Sequence, residues 1–176
     1  MRRGLTIVAS LGAVVLLCGA SPEKVPEEVE GHMKRMADAC KDVGGTPLPD
    51  RFTEQVIFAD GVGFWAIDEG AFKCDGAASL FSGTAGSEVA IYLSLPNGRA
   101  KQVFASYAYG MAIEHLGKFA KLWLSVGGKL CGQKGDPTHA DMMSCDRPLR
   151  WDANAHKLDF APMSQAHIPG RMPSAR

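Results

Sequence analysis

Residues 88–110 read EVAIYLSLPNGRAKQVFASYAYG. Val89, Ile91, Leu93 and Leu95 alternate with Ala90, Tyr92 and Ser94, the period of a strand whose two faces meet different surroundings. Pro96-Asn97-Gly98-Arg99 supplies a turn, and Val103 to Gly110 returns beside the first run. The stretch therefore predicts two antiparallel strands, and a fold that must be built around a sheet.

Downstream, Met111 to Leu116 continues the second strand or bends away from it. Phe119 to Val126 alternates again through Leu122, Leu124 and Val126. A loop from Gly132 to Asp146 leads to a last hairpin, Leu149–Trp151 and Lys157–Phe160, around Asp152-Ala153-Asn154-Ala155-His156. Upstream, Val56, Phe58 and Phe64, Ala66 flank the Gly-containing loop Ala59-Asp60-Gly61-Val62-Gly63. Before that, Val29, Met33, Met36, Cys40 and Val43 follow at helical spacing, with Glu27, Glu28 and Glu30 in the first turn, Lys41 in the last and Gly44-Gly45 at the end. One helix followed by strands in series predicts an α+β fold: an N-terminal helix on a mainly antiparallel sheet, with the sheet free to curl towards a half barrel. Residues 21–160 form the expected single domain. The tail 161–176, with three prolines and no periodicity, is expected to be disordered.

Residues 1–20, MRRGLTIVASLGAVVLLCGA, have the pattern of a secretory signal peptide: Arg2 and Arg3, an apolar run from Leu5 to Leu17, then small residues, with cleavage expected after Ala20. Lipid attachment at Cys18 competes with this reading, but bulky Leu17 occupies the position where a small residue is required. Without the leader, seventeen basic side chains face nineteen acidic ones. That balance offers no footprint for nucleic acid. No later apolar run is long enough to span a bilayer, so a periplasmic or secreted protein is expected. Cys40, Cys74, Cys131 and Cys145 remain, none of them in a CxxC pair, and an even count in an exported chain predicts two disulfides. Three pairings are open. Proximity favours Cys131 with Cys145, leaving Cys40 with Cys74.

The Gly-rich segment 66–83, AIDEGAFKCDGAASLFSG, is too irregular for a helix and too rich in glycine for a plain strand. Its Cys74 makes it a bridge-anchored connection beneath the helix, with Phe72, Leu80 and Phe81 as core contacts. The order of a helix ending in AC…GG, then IDEGAFKCDGAASLFSGTAGSEV, LCG and LRWD resembles a group of small secreted, disulfide-containing alphaproteobacterial proteins of uncharacterised role, over roughly Ala39 to Asp152. The resemblance implies a disulfide-stapled periplasmic domain and no particular activity. Family members carry an Asp-rich turn where this chain has Phe58-Ala59-Asp60-Gly61-Val62-Gly63. With only Asp60 as an acidic ligand, no calcium site is expected. Two further family cysteines are replaced by Ser82 and Ser87.

Enzyme fingerprints are absent: no GxSxG, HExxH, P-loop or dinucleotide motif. No cofactor is therefore expected. Asp60, Asp68, Glu69 and Asp75 crowd one region, but Asp68 and Glu69 are consecutive and point to opposite faces if extended. The loop closed by Cys131 and Cys145 holds His139, Asp141, Met142 and Met143, residue types that suit a protein contact and, less directly, a copper or zinc ion. The leading expectation is a non-catalytic binding or inhibitory protein that presents these four loop residues to another envelope protein. An envelope hydrolase using carboxylates near Asp68 and a metal carrier are the alternatives.

Overall fold

A computed structural model describes residues 24–49 and 52–167. The expected signal peptide lies outside the described residues, as do residues 168–176 of the expected tail. Among the described residues the chain is α+β: one α-helix, α1 (Glu27–Asp42), then antiparallel strands. Strands β2 (Thr53–Ile57), β3 (Gly63–Asp68), β5 (Ser87–Ser94) and β6 (Ala100–Ala108) form one four-stranded sheet in the order β2-β3-β5-β6. Strands β7 (Gly110–Leu116), β8 (Phe119–Gly127), β9 (Ser144–Asp152) and β10 (Lys157–Phe160) form a second, in the order β10-β9-β8-β7. A short pair, β1 (Thr46–Pro47) with β4 (Cys74–Asp75), ties the chain after α1 to the segment around Cys74.

Alternation explains why the first sheet is apolar on both sides. Phe64 and Ala66 of β3 and Val89 and Ile91 of β5 enter a core shared with Leu122, Leu124, Leu149, Trp151 and Leu158 of the second sheet. Trp65, Ile67, Ala90 and Tyr92, one residue out of step, enter a second core with Val29, Met36 and Cys40 of α1. The protein is thus three layers: helix, sheet, sheet. The expected helix on antiparallel β-structure is present, with the strands divided between two packed sheets, and among the described residues there is no closed barrel. The division falls at Tyr109, a single residue between β6 and β7.

After that corner β7 runs across the first sheet, not along it. The Met111 N–H donates to the Asp68 carboxylate at the end of β3, and His115 Nε2 lies 3.3 Å from Glu54 Oε1 on β2. Strand β8 likewise meets both β6 and β2, the two edges of that sheet. The sheets therefore cross steeply, the arrangement in which corners are turned by strands that pass from one sheet to the other.

Both disulfides are present. Cys40 pairs with Cys74, Cα atoms 5.8 Å apart, and Cys131 with Cys145 at 5.7 Å. The first joins α1 to the Gly-rich segment, and Gly45 lies so close that a Cβ there would stand 2.4 Å from Cys74 Sγ. The second closes the loop between β8 and β9. Regular structure also extends past Phe160. Met163–Gln165 form a 3-10 turn, and His167 exchanges two backbone hydrogen bonds with Asp146, at 2.9 and 3.0 Å. Regular structure therefore extends past the boundary at 160 that the prolines and missing periodicity suggested, held by backbone pairing that neither encodes.

Candidate functional site

The steep crossing leaves a cleft of about 690 Å3 between β7 and the neighbouring end of the first sheet. Phe52, Trp65, Met111 and Ile113 give it apolar walls, while Glu54, Asp68 and His115 supply ionisable groups. Its size falls within the range of ordinary ligand sites. Trp65 Nε1 and Thr53 Oγ1, both on wall residues, are buried without a hydrogen-bond partner among the described residues.

Two smaller cavities continue the cleft. One of 280 Å3 shares Asp68 and Ala71 with it and is completed by Ser82, Gly83, Gly86, Ser87, Tyr109 and Gly110. The other, of 370 Å3, shares Tyr109 with the second and is bounded by Thr84, Ala85, Gly127, His139 and Met142. The groove proper is the first cavity beside Met111–His115 of β7; the second reaches β7 at Gly110, and the third lies past the corner at Tyr109. Strand β7 is the end of its sheet, with β8 as its one strand neighbour among the described residues. Because the Met111 N–H faces Asp68, the N–H groups of Ile113 and His115 face the same open side by the two-residue period of a strand.

The Gly83–Gly86 turn that forms the middle wall is tightly built. Gly83 and Gly86 exchange backbone hydrogen bonds at 3.1 and 2.9 Å, and a Cβ on Gly86 would stand 2.1 Å from the Ala108 carbonyl oxygen. With φ at +90° as well, the position admits glycine alone.

Asp68 sits at the junction of the first two cavities. Its carboxylate accepts from the Gly70 N–H at 3.0 Å and from the Ala71 and Met111 N–H groups and the Ser87 hydroxyl. Burial nevertheless dominates and pushes its pKa above the ordinary carboxyl value. Glu69 turns the other way, to His32, with Glu69 Oε1 2.8 Å from His32 Nε2. The two consecutive carboxylates therefore do not face each other, as their alternation predicted. Asp60 Oδ1 accepts from the Val62 N–H, a turn contact, and Asp75 belongs to the short β1–β4 pair.

The loop residues singled out from the sequence part company. His139 is exposed, with Nε2 2.7 Å from the Thr84 carbonyl oxygen, so the loop is docked on the Gly83–Gly86 turn. Asp141 is exposed and accepts from the Thr138 hydroxyl at 2.6 Å. Met143 is 49% exposed. Met142 is half-buried, its sulfur 3.3 Å from the Tyr109 hydroxyl and packed over Gly127. His139 and Met142 thus line the third cavity, while Asp141 and Met143 do not. No three His, Cys, Asp or Glu side chains converge as a metal site among the described residues.

Sequence reasoning placed the cleft residues Glu54, Trp65, Met111 and His115 in no site. Their only signal was position on strands that prove to be adjacent at a corner. His32, which no motif or spacing marks, is a buried polar link: its Nδ1 lies 2.8 Å from the Tyr92 hydroxyl, opposite the Glu69 contact.

No family model, curated protein or solved structure matches the chain.

Proposed function

We propose that the protein is an exported, non-catalytic binding or inhibitory protein whose groove receives an extended segment of another envelope protein. The observation that carries this reading is the 690 Å3 cleft along the open edge of β7, adjoined at Asp68 and Ala71 by a second cavity. A chain segment laid beside a sheet edge gains main-chain hydrogen bonds from the strand and specificity from the side-chain cavities. Strand β7 spans seven residues, about 23 Å at the usual strand rise, which suits a partner segment of similar length.

The chemistry of the groove also favours binding over catalysis. Its Asp68 carboxylate is occupied by backbone N–H groups and the Ser87 hydroxyl, and the other carboxylate of the cleft, that of Glu54, lies 3.3 Å from His115 Nε2. Two disulfides agree with an oxidising compartment, and no helix among the described residues is long and apolar enough to cross a membrane.

The test is selection of binders from a random peptide library, followed by amide hydrogen exchange. Bound peptides should slow exchange at Ile113 and His115. Protection confined to another surface, or no binder at all, would remove the groove as the site.

A further inference from the structure

The loop between β8 and β9 is braced around an exposed tip. Cys131–Cys145 closes its neck. Just inside the neck the Gln133 side chain spans the two arms: its Nε2 donates to the Asp141 carbonyl oxygen at 2.9 Å, and its Oε1 accepts from the Met143 N–H at 2.8 Å. The Thr138 hydroxyl donates to the Asp141 carboxylate, the Lys129 ammonium lies 2.6 Å from the Asp136 carboxylate, and His139 docks on the Thr84 carbonyl oxygen. Between these braces Lys134, Gly135 and Asp136 are exposed and irregular, and no backbone hydrogen bond ties residues 134–137 to the rest of the described chain. The N–H and C=O groups of that stretch are open to an intermolecular partner. Lys34, Lys129 and Lys157 pair with carboxylates, and Lys118 and Lys121 lie over aromatic rings. Lys134 has neither kind of partner among the described residues.

A fixed, protruding stretch of unpaired backbone with an unpaired lysine at its crest has the form in which a serine protease takes a polypeptide. We infer that this loop is an inhibitory surface for a protease that cleaves after lysine, with Lys134 entering the acidic specificity pocket of that enzyme. The surface is separate from the cleft beside β7, because Gln133 and Lys134 line none of the three cavities described above. A loop already fixed loses little freedom on binding, so more of the contact energy appears as affinity. The peptide bond after Lys134 also lies inside the ring closed by the disulfide and crossed by Gln133. Hydrolysis would add one water across it, giving a Lys134 carboxylate and a Gly135 amine that stay tethered side by side. Their high effective concentration favours religation, with release of that water, over loss of a product. Gly135, at φ +79°, turns the chain there and places no side chain beside the bond.

Titrating the disulfide-bonded protein against trypsin, with chymotrypsin as the control and a chromogenic peptide as reporter, tests this. Trypsin should be inhibited competitively and chymotrypsin left unaffected. Lys134→Ala should weaken inhibition about 100-fold, as for a central hot-spot side chain, and Lys134→Arg should retain it. Lys134 is exposed and without a partner, so both variants keep the fold. Gln133→Ala, which frees the two arms, should turn the loop into a substrate, with mass spectrometry finding faster cleavage between Lys134 and Gly135 than in the parent protein. Rapid, complete cleavage of the parent loop without inhibition would overturn the inhibitor and mark the loop as mobile. Neither inhibition nor cleavage would overturn the fit to a protease cleft. Inhibition that survives Lys134→Ala would overturn Lys134 as the contact.

Discussion

His32 and Glu69 meet at 2.8 Å between Nε2 and Oε1, and this contact joins the face of α1 to the turn that follows β3. The other ring nitrogen of His32 reaches the Tyr92 hydroxyl, also at 2.8 Å, so one imidazole connects the helix, the sheet and the Gly-rich segment. His32 and Tyr92 are both almost fully buried.

Removing the imidazole strands two polar groups in a poorly hydrated site. His32→Ala is expected to cost about 2 to 4 kcal/mol, the sum of lost packing and unpaired partners. Tyr92→Phe, which leaves one nitrogen without its partner, should cost about 1 to 2 kcal/mol. Urea denaturation measures both. A loss below about 0.5 kcal/mol for His32→Ala would mean that the helix is held by apolar contacts alone.

The Cys40–Cys74 bridge closes a loop of 34 residues and should contribute about 3 to 4 kcal/mol through the unfolded chain. Cys40→Ala and Cys74→Ala should therefore destabilise by similar amounts, and the double variant by little more than either. Additive losses in thermal or urea melts would contradict a shared bond.

Asp68 makes stability depend on pH in the direction opposite to most carboxylates. Burial raises its pKa, so the folded protein holds this proton more tightly than the unfolded chain does. At pH values below the ordinary carboxyl value of about 3.9, both forms are protonated and the site costs nothing. Stability is lost as pH rises from there through the raised folded value, and the loss is complete above it. Asp159, held low first by Lys157, has the reverse sign and loses its contribution as pH falls. In the stability difference between Asp68→Asn and the parent protein, Asp159 cancels. That difference should shift in favour of the variant between pH 3 and pH 7, and a flat difference would show that Asp68 is not destabilised by burial.

Neighbouring methionines in the disulfide loop should behave differently. Met142→Ala removes contacts with Tyr109 and Gly127 and should cost about 1 to 2 kcal/mol. Met143→Ala, at a half-exposed side chain, should stay within about 0.5 kcal/mol. Thermal melts of the two single variants separate the cases. Equal effects would place both on the same side of the loop.

The helix and most hairpins were legible because their signal is local. Val29, Met36 and Cys40 lie on the predicted stripe and are buried. Val43 is 56% exposed, while His32 takes a deep position that no apolar period could assign. The hairpin loop at residues 58–62 and the turn at 96–99 follow from glycine and proline placement. Strand β9 was expected to begin near Leu149 but starts at Ser144, because Asp146 and Arg147 are buried within it. Arg147 donates through its two terminal nitrogens to the Leu130 and Ala161 carbonyl oxygens and stacks on Phe160, partners outside its own strand, while its Nε is buried without a partner among the described residues. The groove was illegible for a similar reason. It arises where β7 crosses β2 and β3, and the angle between two sheets leaves no trace in the order of side chains along either.

The two disulfides follow the same division as the two sheets. Cys40 and Cys74 precede the corner at Tyr109, Cys131 and Cys145 follow it, and each cysteine bonds the next one along the chain. A chain threaded across a membrane from its N-terminus would expose its cysteines in pairs that are already correct. An indiscriminate thiol oxidant acting on them in order of arrival would make the native bonds without later reshuffling. Strand pairing has the same property: each four-stranded sheet joins strands in order of synthesis, with only the two-residue β4, which pairs with β1, passed over. Neither half needs the other for its strand order or its crosslink, and the groove, lined from both, exists only where the two are docked.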